Sequence, residues 1–167
     1  SIGENAFNGC SDLASIIIPN GVKTIKRGAF NGCKTLTSIT IPKSVTNIES
    51  GAFYGCNNIA NIVVEDGNAV YDSRENSNAV IETATNRLVM GCKNTRIPNN
   101  VTNIGEYAFS GNTELMSITI PESVKTIEDY AFNYCLGLTS IDIPNSVTSI
   151  GSNGFSYCKG LKRITIG

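Results

Sequence analysis

Phenylalanine returns every 23 residues along most of this chain, at Phe7, Phe30 and Phe53 and again at Phe109, Phe132 and Phe155. Alanine precedes five of the six, at Ala6, Ala29, Ala52, Ala108 and Ala131, and Ile-Pro recurs in the same register at Pro19, Pro42, Pro98, Pro121 and Pro144. A fixed period between 20 and 50 residues excludes an ordinary globular core. It requires an array in which each repeat packs only on its neighbours. The 167 residues therefore count coils, not domains.

Within the repeat from Leu36 to Cys56, Leu36, Ile39 and Ile41 alternate with Ser38 and Thr40, the period-2 pattern of a half-buried strand. Pro42 ends it, because proline offers no amide to a ladder. Val45 and Ile48 then place a second short extended piece with its apolar side chains inward, and Ala52-Phe53-Tyr54-Gly55-Cys56 reads as one helical or 3-10 turn closed by glycine. A constant advance brings each first strand parallel to the one before it. In the coil from Gly111 to Phe132 the inward set is Asn112, Leu115, Ile118, Ile120, Val124, Ile127, Ala131 and Phe132. The expected fold is an α/β repeat solenoid, mostly β: a right-handed β/α superhelix of about seven coils with parallel strands and short helical turns.

The period breaks once. Phe53 and Phe109 are 56 residues apart, so one coil carries ten extra. Ala79–Glu82 and Arg87–Met90, flanking Thr83–Asn86, read as a β-hairpin, and the run from Tyr71 to Asn78 reads as a polar loop. Gly91-Cys92 matches the Gly-Cys of other repeats, which sets Leu88-Val89 where Ala-Phe should stand. The organisation is one continuous solenoid over 1–167: repeats over 1–64, an irregular coil with the hairpin over 65–96, and repeats over 97–167. Both ends fall inside a coil, the expectation for a segment of a longer array.

Cys10, Cys33, Cys56, Cys135 and Cys158 share one slot of the repeat, which Asn112 fills in the remaining coil. Such a slot is a small, partly polar interior position, so a stacked column of free thiols is expected and disulfides are not. With no histidine and no Cys-x-x-Cys, neither a metal site nor a His-dependent triad is expected. The oxygen-rich stretches Asp66–Asn68 and Asp72–Asn78 lack the spacing of an EF-hand loop. No cofactor is expected and the chain is not read as an enzyme. Thirteen basic and 14 acidic side chains, mixed along the chain, give no electrostatic footprint for nucleic acid, and no apolar run approaches the roughly 20 residues of a membrane span.

The pattern Leu-x-x-Ile-x-Ile-Pro-x-x-Val-x-x-Ile-x-x-x-Ala-Phe-x-x-Cys, intact over Leu36–Cys56 and Leu115–Cys135, resembles the BspA-type, or Treponema-type, leucine-rich repeat. The resemblance implies a leucine-rich-repeat fold and a cell-surface or secreted location. It also implies an adhesion-type role toward host or microbial macromolecules, and it brings no catalytic motif. The departures are Asn112, Gly154 in the Ala slot, and the coil from Glu65 to Arg96.

The outward residues of the first strand supply the candidate contacts. Most are serine and threonine, which serve equally as soluble filler on an exposed sheet. Specificity for an extracellular protein or glycan would come from the residues that break the columns. The expected surface is Ile17, Thr40, Val63, Arg96, Thr119, Asp142 and Arg163, with Tyr71 and Arg74 of the insertion. Tyr107, Tyr130, Tyr134 and Tyr157 read as packing between coils. The rival reading is a structural spacer whose function lies elsewhere in a larger surface protein.

Overall fold

The computed structural model describes residues 1–167. Twelve short strands follow one another: β1 (Thr24–Ile25), β2 (Ser38–Ile41), β3 (Asn47–Ile48), β4 (Asn61–Val64), β5 (Tyr71–Asp72), β6 (Ala79–Glu82), β7 (Arg87–Gly91), β8 (Asn103–Ile104), β9 (Thr126–Ile127), β10 (Ser140–Ile143), β11 (Ser149–Ile150) and β12 (Arg163–Ile166). The only helical segment is a 3-10 turn at Arg74–Asn76. They build a mostly-β solenoid of about six turns.

The 23-residue advance is the pairing register. Ile25 lies beside Ile48, Ile39 beside Ile62, Ile127 beside Ile150 and Ile141 beside Ile164, all in parallel pairs. Like residues therefore pile up along the axis. Phe30 stacks between Phe7 and Phe53 at ring-centroid distances of 5.3 and 5.0 Å, and Phe132 between Phe109 and Phe155 at 4.9 and 5.0 Å. Of the eight inward positions between Gly111 and Phe132, seven are buried and Ile118 is half-buried. The pattern fails in the last layer, where Ile164 and Ile166 are 46% and 70% exposed.

The Ala-Phe segments are not helical. Each is a turn held by i to i+3 bonds, as in Asn31 N–H to Gly28 O at 2.9 Å and Cys33 N–H to Phe30 O at 3.1 Å. The residues that frame it are left-handed: Gly28 has φ 64° and Gly32 φ 71°, and the equivalent Tyr107 and Gly111 have φ 58° and 74°. A residue in that region breaks a right-handed helical run, so the turn bonds to the next layer instead. Phe30 N–H donates to Ala52 O and Gly32 N–H to Tyr54 O, both at 2.8 Å.

The insertion is a hairpin of β6 and β7, with β5 added antiparallel to β6. It joins the column of second strands, giving a six-stranded sheet in the order β11-β9-β8-β7-β6-β5. Arg87 pairs with Asn103 and Leu88 with Ile104. That corrects the expected alignment: Leu88 occupies the second-strand isoleucine slot, and Gly91, whose N–H donates to Ala108 O at 2.9 Å, makes the bond that phenylalanine makes elsewhere. Pairing with β6 fixes the register of β7 and overrides the local likeness of Gly91-Cys92 to the repeat.

The hairpin also divides the core. Val80 and Met90 pack with the apolar side chains of the first half of the stack. Ala79, Ile81 and Leu88 pack with those of the second. Tyr71 is not in a polar loop but in β5 and 5% exposed, and its hydroxyl accepts the Ile48 N–H at 3.0 Å. It thereby ties β3 to the hairpin sheet, with which β3 forms no ladder.

Candidate functional site

Proline ends β2 and β10, and alternation turns the polar residues of the first strands outward. The ladder of first strands is continuous only between β2 and β4 and between β10 and β12. Thr40 and Val63 are direct neighbours on the first pair. Asp142 and Arg163 lie on the second, their charged ends 3.8 Å apart and both well exposed. Ile17 is 91% exposed, and Thr119 and Arg96 are exposed on stretches without ladder bonds. Seven of the nine expected residues thus do lie outward on this face.

Between its two paired ends the face is grooved. A cleft of about 340 Å³ opens between Thr95–Ile97 and Ser117–Thr119, and another of about 360 Å³ between Ser117–Ile120 and Ser140–Ile143. Beside them the insertion meets the face in an open recess of about 570 Å³, lined by Glu75, Asn76 and Asn78 on one side and Lys93, Asn94, Thr95 and Arg96 on the other. No apolar side chain lines it. Arg96 makes no ion pair; its N–H donates to Ser77 O at 2.9 Å, which places the side chain at the rim. Glu75, Asn76 and Asn78 all have φ between 51° and 58°. The carbonyl of Asn78 accepts Thr95 Oγ1, docking this loop on the coil. Sequence reading found Arg96 and missed Lys93 and the Asn76–Asn78 wall, because only the folded insertion brings them together.

The two remaining expected residues are corrected. Tyr71 is buried, as described above. Arg74 is a clamp: Nε donates to Asp72 Oδ1 at 2.8 Å and Nη1 to Asn86 Oδ1 at 2.8 Å, and the side chain is 20% exposed. An arginine whose fork is already satisfied by an ion pair and an amide has few donors left for a partner.

No three Cys, Asp or Glu side chains cluster as a cation site requires. All six cysteines are free thiols, and each interior thiol of the repeat donates to the phenylalanine carbonyl of the preceding coil, as from Cys56 Sγ to Phe30 O at 3.0 Å. Cys92 donates to Asn78 O instead. Burial raises the Cys33, Cys56 and Cys92 thiols, Cys56 to about 12, which disfavours the reactive thiolate at each. Asn112, in the thiol slot, is buried against a cavity of about 30 Å³ next to Gly91, where the preceding coil has no phenylalanine ring. No helix is long and apolar enough to cross a membrane.

A family model described as the BspA type leucine rich repeat region matches in six copies, over residues 1–78 and 81–167. A leucine-rich repeat protein from Eubacterium ventriosum ATCC 27560 is 30% identical with a TM-score of 0.78, the match covering 89% of this chain and 41% of that one. One from Bacteroides ovatus ATCC 8483 is also 30% identical, with a TM-score of 0.50 over 86% of this chain and 29% of that one. The pneumococcal vaccine antigen PcpA shares the fold at 24% identity and a TM-score of 0.62, over 87% of this chain and 42% of its own. The chain therefore spans less than half the length of each. No curated protein matches.

Proposed function

The chain belongs to the BspA-type leucine-rich repeat family, and from that premise we propose that it is a non-catalytic interaction module of a cell-surface or secreted bacterial protein. Its seven coils, counting the irregular one, form a right-handed superhelix that meets an extracellular protein through its first-strand face. The recess at Arg96 carries this reading. It is the one place on that face where the repeat is broken, two cations stand without ion pairs, and the lining is wholly polar. Such a recess suits a carboxylate-bearing loop of a protein, with Thr40, Val63, Thr119 and Asp142 as the surrounding platform.

The spacer reading has an observation of its own, since Ser38, Thr40, Ser117, Thr119 and Ser140 repeat along the face as filler would. Immobilised protein challenged with a panel of extracellular matrix proteins separates the two. The module predicts saturable binding to at least one of them that falls about tenfold or more in Arg96→Ala and weakens with salt. Absence of any saturable binding leaves the spacer.

A further inference from the structure

A second recess lies away from the first-strand face, on the side of the stack formed by the Ala-Phe turns. The residue two places before each phenylalanine is left-handed in all six turns: Asn5, Gly28, Gly51, Tyr107, Tyr130 and Asn153, with φ between 55° and 73°. Glycine and asparagine are the residues this backbone favours, and tyrosine is among those it penalises. Two tyrosines here are an outlier that the turn itself does not require.

Their stacking accounts for part of it. Tyr107 and Tyr130 lie ring on ring at 4.8 Å and 1°. The opposite face of Tyr107 has no ring on it. In the two preceding turns the slot is Gly51 and Gly28, and a Cβ on Gly51 would stand 3.7 Å from Tyr107 Cγ. Two missing side chains leave an open recess of about 390 Å³. Tyr107 forms one end wall. Asn5 folds over Gly28 at the other end, Tyr54 stands edge-on to Tyr107 at 6.4 Å, and Arg27 reaches across to the Tyr107 hydroxyl at 3.5 Å, its guanidinium carbon over the ring at 5.6 Å from the centre, so that Arg27 shares this face with a ligand. Glu4, Asn31, Tyr130 and Asn133 complete the rim.

The volume falls within the range of small-molecule sites. One aromatic face among amide, guanidinium and carboxylate groups is the arrangement that takes a ring with an aliphatic C–H face and a rim of paired hydroxyls. Apart from its tyrosines the lining is amide, guanidinium, carboxylate and glycine backbone, with no aliphatic side chain, and Glu4 offsets Arg27, so an anion gains little. We propose that the recess between Asn5 and Tyr107 is a carbohydrate site that binds one pyranose residue of a glycan against the ring of Tyr107. It is separate from the first-strand face and stands whether or not that face binds a protein.

The test uses methyl glycosides of glucose, galactose, mannose and N-acetylglucosamine as probes, with N-acetylphenylalaninamide and inorganic phosphate as rivals, read by saturation-transfer NMR and titration. Two variants remove the recess while keeping residues the backbone accepts: Tyr107→Asn takes away the wall, and Gly51→Asn fills the floor. Tyr157→Asn, in a left-handed slot outside the recess, is the control, and thermal midpoints establish that each variant is folded. The expected result is transfer to the ring protons of at least one glycoside, with affinity reduced tenfold or more in both recess variants and unchanged in Tyr157→Asn and Arg96→Ala. The site is overturned by no glycoside binding, by equal binding to the recess variants, or by preference for phenylalaninamide or phosphate.

Discussion

Arg87 of the hairpin holds Glu128, 41 residues later, in a two-pronged ion pair: Nε to Oε1 at 2.7 Å and Nη2 to Oε2 at 2.6 Å. The bridge crosses the layer of β8, and it passes Gly105, where a Cβ would lie 2.9 Å from the guanidinium carbon. It fastens an irregular element to regular coils on its far side. Glu128 also accepts the Glu106 N–H at 3.0 Å, as Glu49 accepts the Arg27 N–H one half-stack earlier.

Burial alone would raise the Glu128 carboxyl, but the hydrogen bonds and charge of Arg87 outweigh it and hold the group below its ordinary value. The unfolded chain then binds this proton more readily than the folded one. The pair's contribution is present at neutral pH and lost as pH falls from about 4.3 through the folded-state value. Glu128→Gln should cost about 1 kcal/mol at pH 7, modest because the pair is partly exposed. The gap to wild type should shrink at pH 3 in urea titrations; an equal gap at both pH values would assign the loss to packing.

Tyr71→Phe removes one oxygen and leaves the Ile48 N–H buried without an acceptor. The expected cost is about 1–3 kcal/mol. Amide exchange at Ile48 should quicken by one to two orders of magnitude while Ile127, inside a regular ladder, holds its rate. Unchanged exchange at Ile48 would mean that the hydroxyl does not tie the two parts together.

The stacked core was legible in the sequence because one rule, residue i above residue i−23, generates every layer from any other. It holds for Ile25 and Ile48 as it does for Ile141 and Ile164. What escaped it has no layer to copy. Leu88 resembled a displaced alanine until its pairing with Ile104 set the register, and Tyr71 sat among polar residues that suggested a loop. Arg74 was a surface cation by composition and a clamp in the fold. The same limit governs the two recesses: each depends on which side chains a break in the repeat leaves side by side.

Gly91 illustrates the point. Its φ is not left-handed, yet a Cβ there would overlap the Phe109 ring. Gly91→Ala should therefore cost about 1–3 kcal/mol by overpacking. Combined with Phe109→Leu, which shortens the ring's reach, it should cost less than the two single changes together. Strict additivity in urea unfolding would deny the contact.

Five thiols are buried and Cys10 is exposed. Iodoacetamide at pH 8 should add one label to the native protein, at Cys10, and six in urea, as counted by mass spectrometry. Rapid native labelling at Cys56, whose thiol is pushed up to about 12, would contradict its burial and its bond to Phe30 O.

The hairpin gives the stack two cores with separate neighbours: Phe30 belongs to one and Phe132 to the other, and both are fully buried. Phe132→Ala should cost about 3–5 kcal/mol, since the rings on either side hold the cavity open. Milder changes test the partition itself. Phe30→Leu and Phe132→Leu, at about 1 kcal/mol each, share no contacts and should add within about 0.5 kcal/mol. Phe109→Leu and Phe132→Leu alter rings stacked at 4.9 Å and should couple. If the first pair couples as strongly as the second, the hairpin transmits packing between the halves and does not divide them.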